Sequence, residues 1–104
     1  MANYLLVFHG GRMPEGAEEG AQVMQAWTDW FGTLGDAVVD QGNPVSQTRT
    51  IAPDGSVTDG AAQPASGYTI IKADSLDDAV RLAKGCPVLH GGASVEVAET
   101  FAAM

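Results

Sequence analysis

A chain of 104 residues is sized for one small domain, residues 1–104, with a core but a modest burial fraction. Thirteen acidic against five basic residues give a formal charge of −8, and Arg12, Arg49, Lys72, Arg81 and Lys84 are scattered, which argues against nucleic acid as the partner. One cysteine, Cys86, permits no internal disulfide and no C-x-x-C zinc pair, and the apolar stretch from Tyr4 to Phe8 is too short for a membrane span, so a cytoplasmic, non-membrane protein is expected.

The first element, "NYLLVFH", is apolar on both parities: Tyr4, Leu6 and Phe8 point one way, Leu5, Val7 and His9 the other, which predicts a strand covered on both faces. A Gly-rich loop, "HGGRMPEG", follows it. It sits where a phosphate loop would, but it has neither G-x-G-x-x-G nor G-K-[ST], and Glu15, Glu18 and Glu19 after it repel an anion. From Ala17 to Leu34, helical spacing of Met24, Trp27, Phe31 and Leu34, widened by Val23 and Trp30, predicts an amphipathic helix ended by Gly35.

"DAVVD" and "VSQTRTI", separated by "GNP", read as one bent edge strand or two fragments, and residues 53–66 as a loop with a short hairpin arm around Val57. "GYTIIKA" is the next strand. Ser75 caps a second helix with Asp77 and Asp78 at its positive end and Leu76, Ala79, Val80 and Ala83 as its buried face; Gly85 stops it by left-handed cap chemistry and Pro87 prevents its continuation. "ASVEVAE" alternates as the last strand, with Glu96 outward.

The order strand, helix, strand, strand, helix, strand predicts an α+β fold of the ferredoxin-like βαββαβ type, an antiparallel sheet with both helices on one face. Its other face would be open and apolar, with Leu5, Val7 and Ile71 as candidate residues, and a homodimer packed sheet on sheet is the expected cover.

The first and last strands should be neighbours, so His9 and His90, each followed by two glycines, are expected to converge and form candidate catalytic groups. The competing reading makes both of them corner residues, and it is preferred for "GCPVLHGGASVEVAE". Cys86, His90 and His9 together could offer three metal ligands, but no second signature supports a metal or any cofactor, and none is expected. Cys86, just after a helix C-terminus, reads as a buried small hydrophobe rather than a nucleophile. Asp36 and Asp40 bracket "AVV"; both are expected at the His9 end of the sheet, with Asp40 as an orienting acid and Asp36 and Trp27 as lining of a ligand pocket. Trp27 and Trp30 read first as core or dimer contact.

The stretch from Asp59 to Val97 resembles YCII-related proteins, particularly the DGPF branch: an Asp-Gly pair, Gly-Tyr opening a strand, an acidic-capped helix ending in a Cys-Pro corner, and a G-x-S-V-E-V strand; "YLLVFHG" resembles their first strand. Asp59-Gly60 is followed here by Ala61-Ala62 where the branch has Pro-Phe. The resemblance implies a dimeric α+β barrel, a helix–sheet cleft for a small molecule, and either ligand binding or cofactor-independent catalysis. Some relatives carry a histidine–aspartate dyad with the histidine on the first helix; this helix has none, and Trp27 stands in that neighbourhood. Relatives encoded beside extracytoplasmic-function sigma factors imply the other reading, a protein-interaction module in transcriptional regulation with a sigma factor as partner.

Overall fold

The computed structural model describes residues 1–103. It is a small α+β fold with two helices on an antiparallel sheet, consistent with a ferredoxin-like arrangement. In chain order the elements are β1 (Ala2–His9), α1 (Gly16–Leu34), β2 (Val38–Asp40), β3 (Arg49–Ile51), β4 (Val57–Asp59), β5 (Ala65–Ala73), α2 (Leu76–Ala83) and β6 (Ser94–Glu99). The main sheet runs β2-β5-β1-β6, and β3 and β4 form a separate two-stranded hairpin. The "VSQTRTI" region is thus a fragment distinct from β2, and the arm around Val57 is its partner.

Register sorts the side chains. Tyr4 opposes Ile71, Leu6 opposes Thr69 and Val97, and Phe8 opposes Gly67 and Val95, so these share one face. That face is closed by Trp30 and Leu34 of α1 and Ala79 and Ala83 of α2, which form with it a single core. Leu6 and Ile71 are fully buried, each worth roughly 1.5–3 kcal/mol of transfer free energy. Thr69, the buried polar residue of this face, donates its hydroxyl to Gln41 O at 3.0 Å, so its burial leaves no unpaired group.

The opposite face carries Asn3, Leu5, Val7 and His9 of β1, Tyr68, Ile70 and Lys72 of β5, Asp40 of β2, and Ser94, Glu96 and Ala98 of β6. No helix covers it. Ile71, expected on this face, belongs to the closed one, and Ile70 takes its place; the strand is apolar at both positions, and only the pairing with Leu5 and Tyr4 decides between them.

Two helix faces differ from the periodic reading. Met24 is 66 % exposed, because the buried stripe of α1 runs through Trp27, Trp30, Phe31 and Leu34 and leaves Met24 outside its edge. Leu76 and Val80 of α2 are also exposed, the contact being made by the small Ala79 and Ala83, which let the helix lie close to the sheet. Ser75 caps α2 as expected, accepting from Asp78 N at 3.1 Å.

Gly35 has φ 55° and closes α1 through its N–H to Phe31 O. Gly85 is a glycine for a different reason than its expected left-handed cap: its φ is not positive, and a Cβ there would stand 3.1 Å from Trp30 Cδ1 and 3.2 Å from Nε1. The indole lies against that backbone because its Nε1–H donates to Leu82 O at 3.1 Å.

Candidate functional site

β1 ends at His9 with an irregularity in its pairing to β5 between Phe8 and His9. His9 opposes Ser94 on β6, so the same-face residue two positions on, Glu96, is its diagonal neighbour, within reach of a long side chain. His9 Nε2 lies 3.0 Å from Glu96 Oε1, and Nδ1 lies 3.4 Å from Pro64 O. Both partners are acceptors, so the ring satisfies them together only when both nitrogens carry protons. The Glu96 hydrogen bond accordingly raises the His9 pKa above its ordinary value; the burial of the ring opposes this and the Pro64 carbonyl adds to it. The His9 side chain is 19 % exposed and that of Glu96 60 %, so the pair stands at the rim of the open face with its carboxylate toward solvent.

The two His-Gly-Gly corners lie side by side. A Cβ on Gly11 would approach Ala93 Cβ to 3.1 Å, and one on Gly91 would be 3.9 Å from Arg12 N and O. His90 sits exposed in a single 3-10 turn, Pro87–Gly91, closed by Gly92 at φ 84°, and among the described residues no hydrogen bond joins it to His9. The His9 ring is held by Glu96 and by the Pro64 carbonyl. Among the described residues no three His, Cys, Asp or Glu side chains are gathered closely enough to hold a metal ion, so Cys86, His90 and His9 do not form that set. Cys86 is 1 % exposed and burial pushes its thiol up to about 11, the behaviour of a packed small hydrophobe.

Asp36 and Asp40 are placed away from His9. β2 is antiparallel to β5, which is antiparallel to β1, so β2 runs parallel to β1 and starts at the opposite end of the sheet: Val38 opposes Ile71, itself opposite Tyr4. The expectation took β2 to begin beside His9. Asp40 opposes Ile70, level with Leu5, and its Oδ1 accepts from Gly42 N at 2.8 Å. That bond fixes a turn in which Gly42, φ 77°, crosses the Tyr68 carbonyl so closely that a Cβ would stand 1.7 Å from its oxygen. Asp36 does line a surface depression of about 290 Å³, with Met1, Lys72, Asp74, Asp78 and Arg81 among its walls, at the far end of the sheet from His9.

Trp27 is embedded in an aromatic cluster, its ring centroid 5.7 Å from Phe8, 5.6 Å from Trp30 and 5.5 Å from Phe31. It lines neither that depression nor the larger one, about 580 Å³, between Met1–Asn3 and Glu99–Ala102. Its place is the helix–sheet core.

The residue that sequence reasoning missed is Glu96. It looked like a solvent-facing acid on an alternating strand; its signal was available in the expected pairing of first and last strands, which sets it diagonal to His9.

Searches against protein-family models and against curated proteins returned no match for this chain.

Proposed function

We propose that the chain is a YCII-related protein that works as a homodimer, sheet face against sheet face in a dimeric α+β barrel, and that binds or transforms a small molecule at the sheet end marked by His9 and Glu96. The observation that supports it most is the composition of the uncovered face: Leu5, Val7, Tyr68, Ile70 and Ala98 form an apolar field, with the His9–Glu96 pair toward one end and Asn3, Lys72 and Asp40 toward the other. Such a field in water is costly for a small domain and ordinary for an association surface. A second copy would shield the field and narrow the solvent around His9, turning a rim pair into the wall of a cleft.

In that cleft a protonated His9 has two N–H donors, one toward a backbone carbonyl and one toward an exposed carboxylate. Glu96 is the replaceable partner. An oxyanion or carbonyl oxygen of a ligand that displaced it would take a charge-assisted hydrogen bond from Nε2–H, and the same proton is positioned for transfer as a general acid. His90, Asp36 and Asp40 have no part in this reading.

Sedimentation equilibrium of the wild type and of Leu5→Asp tests the association, and a thermal-shift screen with small carboxylic and keto acids on the wild type and His9→Gln tests the site. A dimer that Leu5→Asp dissociates, and a ligand that raises the wild-type Tm but not that of His9→Gln, are expected. A wild type that sediments as a monomer at 100 µM removes the homodimer, and a ligand response indifferent to His9→Gln removes the site.

The second reading is a protein-interaction module in transcriptional regulation, the open face receiving a sigma factor. The same uncovered face supports it, since an apolar field serves association with another protein as well as with a second copy. In that case the monomer would persist and the face would titrate with the partner.

A further inference from the structure

The β3–β4 hairpin is a well-formed element over which, among the described residues, nothing of its own chain lies. Ala52 N bonds Ser56 O and Gly55 N bonds Ala52 O, both at 2.8 Å, and Asp54 Oδ1 accepts from Ser56 N at 2.9 Å. At the stem Gly60 N bonds Thr48 O at 2.8 Å, and the Thr50 hydroxyl donates to Gly60 O at 2.7 Å. All six strand residues are nonetheless exposed. Ile51 and Val57 stand directly opposite each other, 72 % and 57 % exposed, on the face that also carries the Arg49–Asp59 ion pair. An isolated two-stranded hairpin is marginal in water, and one that presents a β-branched pair to solvent lacks the cover that would stabilise it.

The dimensions point the same way. The radius of gyration is 15.1 Å, against about 13 Å for a compact domain of this length, and the molecule is a slab of 44 × 39 × 18 Å. The excess is an arm that its own body does not hold. It leaves the body at Pro44–Val45 and rejoins it at Pro64–Ser66, where Val45 N bonds Ser66 O at 3.0 Å, and Pro64 is the residue whose carbonyl faces His9. The arm therefore starts at the same sheet end as the candidate site.

The open face has a further property that bears on the arm. Four strands spaced about 4.8 Å apart and averaging six to seven residues at about 3.3 Å each give a footprint of roughly 400 Å². Side-chain relief raises the accessible area, but a standard interface buries about 800 Å² on each partner. Sheet against sheet alone is a small interface.

We propose that the β3–β4 hairpin is a dimerisation arm whose Ile51–Val57 face lies on a second copy of this chain, supplying the contact area that the sheet face lacks. The proposal rests on the homodimer reading above. Two arms related by a two-fold axis clasp the pair at the His9 ends of the sheets, which makes each copy's site depend on the other's arm.

The test uses the full chain in two measurements. Sedimentation equilibrium compares the wild type with the double variant Ile51→Asp, Val57→Asp, whose folding is checked by circular dichroism; a dissociation constant raised at least tenfold with the fold unchanged is expected. A wild-type sample mixing labelled and unlabelled chains is also examined for intermolecular NOEs from the Ile51 and Val57 methyl groups, which are expected to be present. If the wild type is a dimer but the variant dimerises equally well, or the methyl groups show only intramolecular NOEs, the arm proposal is overturned while the homodimer stands. If the wild type is a monomer, the homodimer falls and the arm with it.

Discussion

The two faces of the sheet use the same strands for opposite purposes. On the closed face Tyr4, Leu6, Phe8 and Ile71 are nearly or fully buried under Trp30, Leu34 and two alanines, and its buried threonine is hydrogen-bonded. On the open face, one residue along, Leu5, Val7 and Ile70 are partly exposed and share their surface with a histidine and a glutamate. Neighbours in sequence thus answer to different equilibria: the closed set decides whether the chain folds, the open set what the folded chain meets.

Truncation of adjacent leucines should separate the two equilibria most strongly. Leu6→Ala removes a fully buried side chain from a closed core and should cost about 2–5 kcal/mol of unfolding free energy, read from the urea midpoint at constant m. Leu5→Ala, measured at a concentration where the chain is monomeric, should cost about 1 kcal/mol or less, since its side chain is already partly exposed. Equal losses would mean that the faces do not divide labour as their burial indicates.

Gly85→Ala probes the closed side without touching the sheet. The added methyl would press the Trp30 ring at 3.1 Å, so either the indole shifts and weakens its bond to Leu82 O or the end of α2 moves. Overpacking of this kind costs about 1–3 kcal/mol. A neutral or stabilising result would mean that the ring yields to the added methyl without cost, since the backbone at 85, whose φ is not positive, accepts alanine.

The same position shows how far the sequence was legible. Glycine at 85 and serine at 75 were found by local rules, because helix ends depend on neighbours along the chain. Why 85 must be glycine was not, because the cause is a tryptophan from another helix. The strands were visible through their apolar parities, but parity leaves open which set faces inward, and Ile70 and Ile71 were exchanged for that reason. Asp36 and Asp40 were sent to the wrong end of the sheet by a single error in the direction of β2, while Met24, Leu76 and Val80 kept helical spacing and fell just outside the buried arc. The site was legible in one member only: His9 stood out by its chemistry, whereas Glu96 was one acid among thirteen until pairing set it beside His9.

On the open face the expected effect is smaller and depends on pH. The folded pKa of His9 lies above its unfolded value, about 6.5, chiefly because Glu96 binds the protonated ring. Its contribution is therefore fully present below about pH 6.5 and is lost as pH rises through the folded pKa. The difference in urea midpoint between wild type and His9→Gln should be largest near pH 5.5 and shrink by pH 8, a range that stays below the ionisation of Cys86, raised to about 11 by burial. The same narrowing should vanish in a Glu96→Gln background. A gap that widens with pH would reverse the sign and refute the imidazolium pairing.

His90→Gln should do least of all, and its comparison with His9→Gln is the sharpest test of what two identical His-Gly-Gly corners are for. His90 is exposed in the 3-10 turn, no hydrogen bond ties it to His9, and the backbone of its corner is set by Pro87, by the left-handed Gly92 and by the Ala93 N–H bond to Val88 O at 3.2 Å. None of these involves the imidazole. Glutamine keeps the polarity and the turn, so the change in unfolding free energy should stay within about 0.5 kcal/mol from pH 5.5 to 8. In the spectrum of the variant the His9 ring signals should titrate with the wild-type midpoint, since Glu96 and Pro64 still hold that ring. A displaced His9 midpoint would show that the two corners communicate, through the contact of Gly11 with Ala93 or of Arg12 with Gly91, and would bring His90 into the proposed site beside His9 and Glu96.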